Sequence, residues 1–363
     1  MAVSYVDRQT LAVLAPRVTA ELGISEQGYG WLVSAFSIAY LVGAPLAGRL
    51  IDVVGARRGL LGAVLVWSVV AALHAIVPGF GVLFALRILL GFAEAPSFPG
   101  AAQTVHRALP PDERARGLGV LFTGSSVGAM IAPLLATWVE RHHGWRVAFL
   151  VTAGAGMLWV PAWLAVAYSR GGRAALDGPR ELEPSARATY RTAPVSTPPA
   201  SQIGAWLSVL RHAAVLRAIA VVFSASPAIA LFLNRGAKYL VRAHGLTQSD
   251  VGRYLWLPPL IFDAGAIAFG HYASKRARHR DGAPDRMLLS MAMVLATAMA
   301  LVPFAPGPWS AVATAGVALA GGGGLFALLT ADMLMRVDPG VVSTAGGITA
   351  AAQSLAYIIV NPL

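Results

Sequence analysis

Long apolar segments recur along the whole chain at nearly regular intervals. Each is close to the ~20 residues that an α-helix needs to cross a bilayer. The eleven windows lie at about 1–22, 28–48, 60–77, 80–104, 116–138, 146–168, 213–240, 251–273, 287–305, 309–335 and 341–363. Only 12% of the 363 residues are charged, whereas soluble domains carry roughly 25%. The sequence therefore predicts an all-α polytopic membrane protein with the lipid bilayer as its surroundings.

A polar segment rich in Pro and Arg separates six of these windows from the other five. It reads SRGGRAALDGPRELEPSARATYRTAPVSTPPASQ, a composition typical of a mobile linker rather than a folded domain. We therefore predict an N-terminal transmembrane bundle at 1–168, a linker at 169–212 and a C-terminal transmembrane bundle at 213–363.

The positive charge of the chain is distributed over short loops. The net charge is +11, and most of the 28 Lys and Arg residues fall in alternate loops and in the linker. Because basic loops stay in the cytoplasm, the N-terminus and the linker are predicted to be cytoplasmic. This distribution favours a membrane topology signal and gives no reason to expect a nucleic-acid partner.

The sequence offers no constellation typical of an enzyme. It contains no cysteine, which excludes disulfides and thiol catalysis. Nucleophile–base pairs, phosphate loops and metal-ligand spacings are also missing from the sequence. We therefore expect no enzymatic activity, no cofactor and no metal site.

The connection between the second and third windows carries a specific motif, GRLIDVVGARRG. Glycine suits a close helix approach and a tight turn, and Asp52 can cap a helix N-terminus or pair with Arg. A loop that is merely basic would leave Asp52 unexplained. The motif resembles the signature loop of the major facilitator superfamily, which implies a gating role for five residues. These are Gly48, Asp52, Gly55, Arg57 and Arg58.

The superfamily resemblance also implies a particular fold. It predicts two six-helix bundles, so that about eleven spans are present here. On this pattern the first span is shortened, because only six residues precede Asp7, and the twelfth span is missing.

Four charged residues lie inside the apolar windows, where charges are costly and are functional candidates by default. Asp7 and Arg8 stand in the first window, and Arg87 and Glu94 in the fourth. Seven residues are nearly two helical turns, so Arg87 and Glu94 point to one face. Gly91 between them leaves space for a ligand or for a neighbouring helix. The alternative is a structural ion pair that holds two helices together.

Four further segments carry a narrower resemblance: DRQTLAVLAP, SAFSIAY, RILLGFAEAPSFPG and GSSVGAMIAPLL. Together they resemble the anion:cation symporter family, especially its bacterial hexuronate and aldonate branch. The resemblance implies that Asp7 and Glu94 bind protons and that Arg8 and Arg87 hold the carboxylate of a sugar acid. It also implies substrate contacts for Tyr40, Ser125 and Ser126.

The chain departs from the family pattern at informative positions. Phe122 stands where many members have Asn, so a less hydroxylated substrate is expected. Arg235 is either an additional anion contact or an arginine snorkelling at the outer end of its span. Gln353 is a candidate contact for a sugar hydroxyl. Asp263 is expected to serve helix packing or gating rather than to bind substrate.

The sequence thus predicts a secondary transporter that moves an organic anion inward with protons by alternating access. It is expected to act as a monomer in the bacterial inner (plasma) membrane. Two alternatives stay open: an organophosphate:phosphate exchanger, and a non-transporting membrane sensor or inactive homologue.

Overall fold

The computed structural model describes residues 1–177, 208–246, 254, 256–277 and 285–360. The N-terminal half contains α1 (Ala2–Leu22), α2 (Glu26–Val54), α3 (Ala56–Leu73), α4 (Phe80–Glu94), α5 (Ser97–Ala108), α6 (Arg114–Ala167) and α7 (Arg170–Asp177). The C-terminal half contains α8 (Ala213–His244), α9 (Leu257–Ala277), α10 (Arg286–Thr297), α11 (Pro308–Arg336) and α12 (Val342–Val360). No strand occurs within the described residues. The predicted all-α fold is confirmed.

Eight helical stretches within the described ranges are long and apolar enough to cross a membrane. The first window does form a helix, α1, but it is not among the eight. Its 21 residues carry four charged side chains, those of Asp7, Arg8, Arg17 and Glu21. The predicted polytopic character is confirmed by the other helices.

Two of the long apolar stretches are interrupted at glycine or proline. In α6 the backbone leaves the helical region at Gly144 (φ 83°), a conformation that favours glycine. This break separates 114–143 from 145–167, in agreement with two of the predicted windows. The window at 80–104 is divided at Pro96, so that Glu94 is the last residue of α4. The interruption places Glu94 at a helix end in the middle of a predicted span.

The two bundles contact each other at one end of the molecule. In α2, a Cβ at Gly48 would overlap the backbone of Ser343 and Thr344 at the start of α12. A Cβ at Gly119 of α6 would likewise meet the backbone of Ala266 in α9. We call this end, which carries the α2–α3 connection, the loop end. Glycine allows the close approach that brings the bundles together there.

The predicted linker begins with a short helix. Residues Arg170–Asp177 form α7, whose first turn is capped by Ser169 Oγ, which accepts from the Gly172 N–H at 3.0 Å. Asp177 at its end accepts a 2.7 Å hydrogen bond from Arg57 Nε. The composition of the segment does not predict this helix, since its intrinsic helix preference is weak. The serine cap and the ion pair with Arg57 stabilise the helix nonetheless. Residues 178–207 of the linker lie outside the described residues, and the domain boundaries stay a prediction.

Candidate functional site

An ion pair between α1 and α4 lies at the centre of the N-terminal bundle. Glu94 is fully buried, and its Oε2 accepts hydrogen bonds from Arg8 Nε at 2.6 Å and from Ser4 Oγ at 2.8 Å. Arg8 and Ser4 are one helical turn apart on α1, so both reach the same carboxylate. The other oxygen, Oε1, has no hydrogen-bond partner among the described residues. One oxygen of this buried carboxylate is therefore left without a hydrogen-bond donor.

Two more charged side chains are buried close to this pair. Asp7 is 3% exposed, and neither of its carboxylate oxygens has a partner within the described part of the chain. Arg87 is 5% exposed, and its guanidinium carbon lies 4.7 Å from the centre of the Phe36 ring. Buried charges without partners are costly unless they become neutral or are compensated. The cluster therefore holds buried charge that the hydrogen bonds among the described residues do not fully compensate.

Aromatic rings hold the Arg8 guanidinium in place. Its carbon lies 4.6 Å from the centre of the Tyr40 ring, 5.1 Å from Phe36 and 5.3 Å from Tyr5. Such cation–π contacts are strongest where the cation is desolvated. A Cβ on Gly91 would lie 2.6 Å from the Phe36 carbonyl oxygen, so the space left by this glycine is occupied by α2 rather than by a ligand.

A cavity of about 950 Å³, which includes the part open to solvent, lies between the two bundles. Of the predicted substrate residues, four line it: Arg8, Ser125, Ser126 and Gln353. Four other predicted site residues are buried in the N-terminal bundle and do not line the cavity. These are Asp7, Tyr40, Arg87 and Glu94. The side chain of Arg235, within α8, lies outside the described residues.

Two tyrosines of the cavity wall were not predicted from the sequence. Tyr5 lies three residues before Arg8 on the same face of α1. Tyr357 lies four residues after Gln353 on α12, and its hydroxyl accepts a 3.1 Å hydrogen bond from Gln353 Nε2. Helical spacing from a predicted site residue was the signal that could have identified both.

Phenylalanines from both bundles form another part of the wall. Phe122 of α6 stacks on Phe98 of α5 with ring centres 6.2 Å apart, and it meets Phe326 of α11 edge to face at 6.0 Å. Beside them, Ser126 Oγ donates a 2.8 Å hydrogen bond to Asp263 Oδ1 of α9. The cavity wall thus includes direct contacts across the boundary between the bundles.

The signature loop connects the bundles through a helix N-terminus. Asp52 at the end of α2 accepts hydrogen bonds from the N–H groups of Ser343 and Thr344, both at 2.8 Å, and from Thr344 Oγ1 at 2.5 Å. Of the two alternatives, a helix cap and an arginine pair, the structure has the helix cap. Gln103 supports this carboxylate, because its Nε2 donates to Asp52 Oδ1 at 3.3 Å while its Oε1 accepts from the Ala56 N–H at 2.6 Å.

The remaining residues of the signature loop have separate surroundings. Gly55 has φ 84° and ends α2, a conformation that side chains with a Cβ rarely adopt. Arg57 binds Asp177 and stacks over the ring of Tyr168 at 4.4 Å. Arg58 is exposed. Within the described ranges, no group of three His, Asp or Glu side chains is placed to hold a metal ion.

The amino-acid sequence and the fold both match known transporters. The family model described as Major Facilitator Superfamily matches residues 1–361. The hexuronate transporter of Escherichia coli (strain K12) is 28% identical over 360 residues, which cover 97% of this chain and 81% of that protein. The galacturonate transporter of Dickeya chrysanthemi is 28% identical over 268 residues, which cover 74% of this chain and 76% of that protein.

Among solved structures, the proton:xylose symporter XylE bound to 6-bromo-6-deoxy-D-glucose has the same fold. Its TM-score is 0.72 at 14% sequence identity, and the match covers 99% of this chain and 84% of that one. At this identity the likeness concerns the fold alone. The family model, in contrast, covers nearly the whole sequence. The chain belongs to the major facilitator superfamily.

Proposed function

We propose that the protein is a secondary transporter that carries a small organic anion together with protons by alternating access. Sugar acids such as hexuronates and aldonates are the first candidates, since relatives with 28% identity are named hexuronate and galacturonate transporters. The observation that carries the proposal is the position of Arg8. It pairs with the buried Glu94 and at the same time lines the cavity between the bundles.

Arg8 provides the recognition of a carboxylate. A guanidinium matches the geometry of a carboxylate with two parallel hydrogen bonds. Only one nitrogen, Nε, bonds to Glu94, and the side chain is 23% exposed. Arg87, buried behind the aromatic rings, adds positive charge that further favours an anion in the cavity.

Competition for Arg8 couples the proton to the anion. When Glu94 takes up a proton on Oε1, its attraction for the guanidinium falls, and Arg8 can turn to the carboxylate of the substrate. When the substrate leaves, Arg8 returns to Glu94 and the proton is released. Asp7 lies next to Arg8 in the chain and has no hydrogen-bond partner among the described residues, and it is the second group on which a proton can reside.

Rocking of the two bundles supplies the alternating access. The contacts that must open at the loop end are those of Gly48 and Asp52 with α12 and of Gly119 with α9. Gly55 provides the turn, while Arg57 and Arg58 mark this end of the molecule as basic. By the positive-inside rule, this end, the N-terminus and the linker lie in the cytoplasm. The protein acts in this proposal as a monomer in the bacterial inner membrane.

Uptake into proteoliposomes tests the proposal. The full chain is reconstituted, an inward proton gradient is imposed, and accumulation of labelled glucuronate, galactonate and aromatic acids is compared with that in protein-free vesicles. We expect accumulation of at least one acid, and its loss when the gradient is collapsed. Accumulation of none of the acids contradicts transport and favours a sensor. Exchange that is insensitive to the gradient would favour an antiporter such as an organophosphate:phosphate exchanger.

A matched pair of variants tests the role of Glu94. Glu94→Gln keeps the shape of the side chain but cannot release a proton, so it should abolish gradient-driven accumulation while anion binding or exchange persists. Glu140→Gln is the control, because Glu140 is partly exposed and its only described ion pair is a 3.9 Å contact with Arg17. Normal accumulation by Glu94→Gln would rule out the proton role.

A further inference from the structure

The described wall of the cavity is unevenly polar. The guanidinium carbon of Arg8 lies 5.3 Å from the centre of the Tyr5 ring, and Tyr357 lines the same cavity. Ser125 and Ser126 continue this polar part along α6. A carboxylate therefore has one place to bind, at the N-terminal bundle.

Another part of the described wall is apolar and aromatic. Phe98 and Phe122 come from the N-terminal bundle, and Phe262 and Phe326 from the C-terminal bundle. Four aliphatic side chains also line the cavity; these are Val222, Ile229, Pro259 and Leu319. Because Phe122 packs between Phe98 and Phe326, the apolar surface is continuous across the two bundles. A molecule bound in the cavity therefore contacts apolar side chains of both bundles.

Several of the polar groups in the described wall already have partners. The hydroxyl proton of Ser126 is donated to Asp263, and that of Thr349 to the Gly346 carbonyl at 2.9 Å. Gln353 donates to the Tyr357 hydroxyl. Ser125 and Tyr357 keep a hydroxyl proton to donate, but both belong to the polar part of the wall with Arg8. The phenylalanine and aliphatic side chains of the wall supply no donor or acceptor to the hydroxyl groups of a sugar ring. A hydroxyl that loses water without gaining a partner weakens binding.

We infer that the preferred substrate is a monocarboxylate with an apolar body of about ring size and few hydroxyl groups. Its carboxylate binds Arg8, and its body packs on the surface around Phe122. The inference rests on the proposed function, because it uses the same Arg8 site. Within the small organic anions of that proposal, it moves the preferred substrate away from the polyhydroxylated sugar acids, and it leaves the coupling to protons unchanged.

Binding to the purified full chain in detergent tests the inference with two matched acids. Cyclohexanecarboxylate and glucuronate share a six-membered ring and one carboxylate but differ in hydroxylation. Calorimetric binding avoids the passive permeation of the neutral apolar acid through vesicles. We expect cyclohexanecarboxylate to bind about tenfold more tightly or better, since each unsatisfied hydroxyl weakens binding by roughly that factor. Equal or tighter binding of glucuronate overturns the inference.

Variants at Phe122 locate the preference. Phe122→Asn introduces a donor and an acceptor and should bring the affinity ratio of the two acids towards unity or reverse it. Phe122→Leu keeps the wall apolar and should retain the preference. Phe304→Asn is the control, because Phe304 is 81% exposed and does not line the cavity. An unchanged ratio in Phe122→Asn contradicts the role of this wall.

The outcomes separate this inference from the proposed function. If glucuronate binds and is accumulated by a proton gradient while cyclohexanecarboxylate does not bind, the inference fails and the proposed function stands. If neither acid binds and no anion accumulates, both fail. If cyclohexanecarboxylate binds to the wild-type protein and to Arg8→Gln with equal affinity, the assigned carboxylate position is wrong.

Discussion

Replacing Asp52 with Ala should open the loop end of the molecule. The carboxylate of Asp52 accepts three hydrogen bonds from the first turn of α12, two from backbone N–H groups and one from the Thr344 hydroxyl. These are the contacts by which α2 of one bundle holds the N-terminus of α12 in the other. Alanine leaves all three donors without this partner.

The size of the effect follows from these contacts. Loss of an N-cap costs about 0.5–2 kcal/mol, and a hydrogen bond to a charged group contributes about 1.5–3 kcal/mol. Because the released N–H groups gain water when the bundles separate, we expect a combined loss of about 2–4 kcal/mol from the closed arrangement. At about 1.4 kcal/mol per factor of ten, the ratio of closed to open molecules should fall by about 30- to 1,000-fold.

Cysteine labelling measures this ratio directly, since the chain contains no cysteine of its own. Ala102 is fully buried on α5, and its Cβ lies 3.6 Å from the Cβ position of Gly346 on α12. The thiol introduced by Ala102→Cys therefore becomes accessible only when the bundles separate at the loop end. Its labelling rate should rise in the Asp52→Ala background by up to the factor given above.

Asp338→Ala provides the control for this experiment. Asp338 lies at the same end, but its described bond, 2.7 Å from the Gly340 N–H, stays within its own turn and links no bundles. Its removal should leave labelling of the Ala102→Cys variant unchanged. Equal labelling rates in the Asp52→Ala and wild-type backgrounds would refute the view that this carboxylate holds the loop end closed.

Two further predictions concern stability in detergent. Gly91→Ala should destabilise the protein by about 1–3 kcal/mol, because the added Cβ overpacks against α2. Gly62→Ala is the control and should not lower the Tm, since no atom lies within 4 Å of its added Cβ. Equal Tm values for the two variants would contradict the close approach of α2 to Gly91. Asp285 lies before the first residue of α10 and outside its span. Burial tends to raise its pKa, but hydrogen bonds from Arg276 and from the Leu288 N–H outweigh burial and hold the pKa below its usual value. Its cap should therefore stabilise the protein above the unfolded pKa of about 3.9 and be lost as the pH falls through the folded pKa, so the Tm deficit of Asp285→Ala at pH 7 should vanish under strongly acidic conditions.

The charged residues of the site could be found from the sequence because their position is costly. Asp7, Arg8, Arg87 and Glu94 stand in apolar windows, and no structure is needed to recognise such charges as candidates. Their pairing could not be found in the same way. Helical spacing suggests Arg87 as the neighbour of Glu94, but in the structure Glu94 pairs with Arg8 of α1 instead.

The apolar part of the cavity was largely invisible to sequence reasoning. In a membrane protein, a phenylalanine that faces lipid and one that faces a cavity have the same hydropathy. The sequence indicated only Phe122, because it departs from a family pattern. Nothing in the sequence distinguishes Phe98 and Phe326 from other apolar residues of a membrane span. The cavity wall depends on the rotation of each helix about its axis, which is set by packing between the bundles.

Two helices, α2 and α12, connect the cavity with the loop end, and we therefore expect a change of charge at one place to affect the contacts at the other. On α2, Tyr40 faces Arg8 and Asp52 caps α12, about 18 Å further along the axis at ~1.5 Å per residue. On α12, Thr344 receives that cap, and Gln353 lines the cavity about 13 Å away. A tilt of α2 against α12 therefore changes the surroundings of Arg8 and the cap together. Because both sites bias the same pair of rigid elements, no chain of intermediate side chains is required for their coupling.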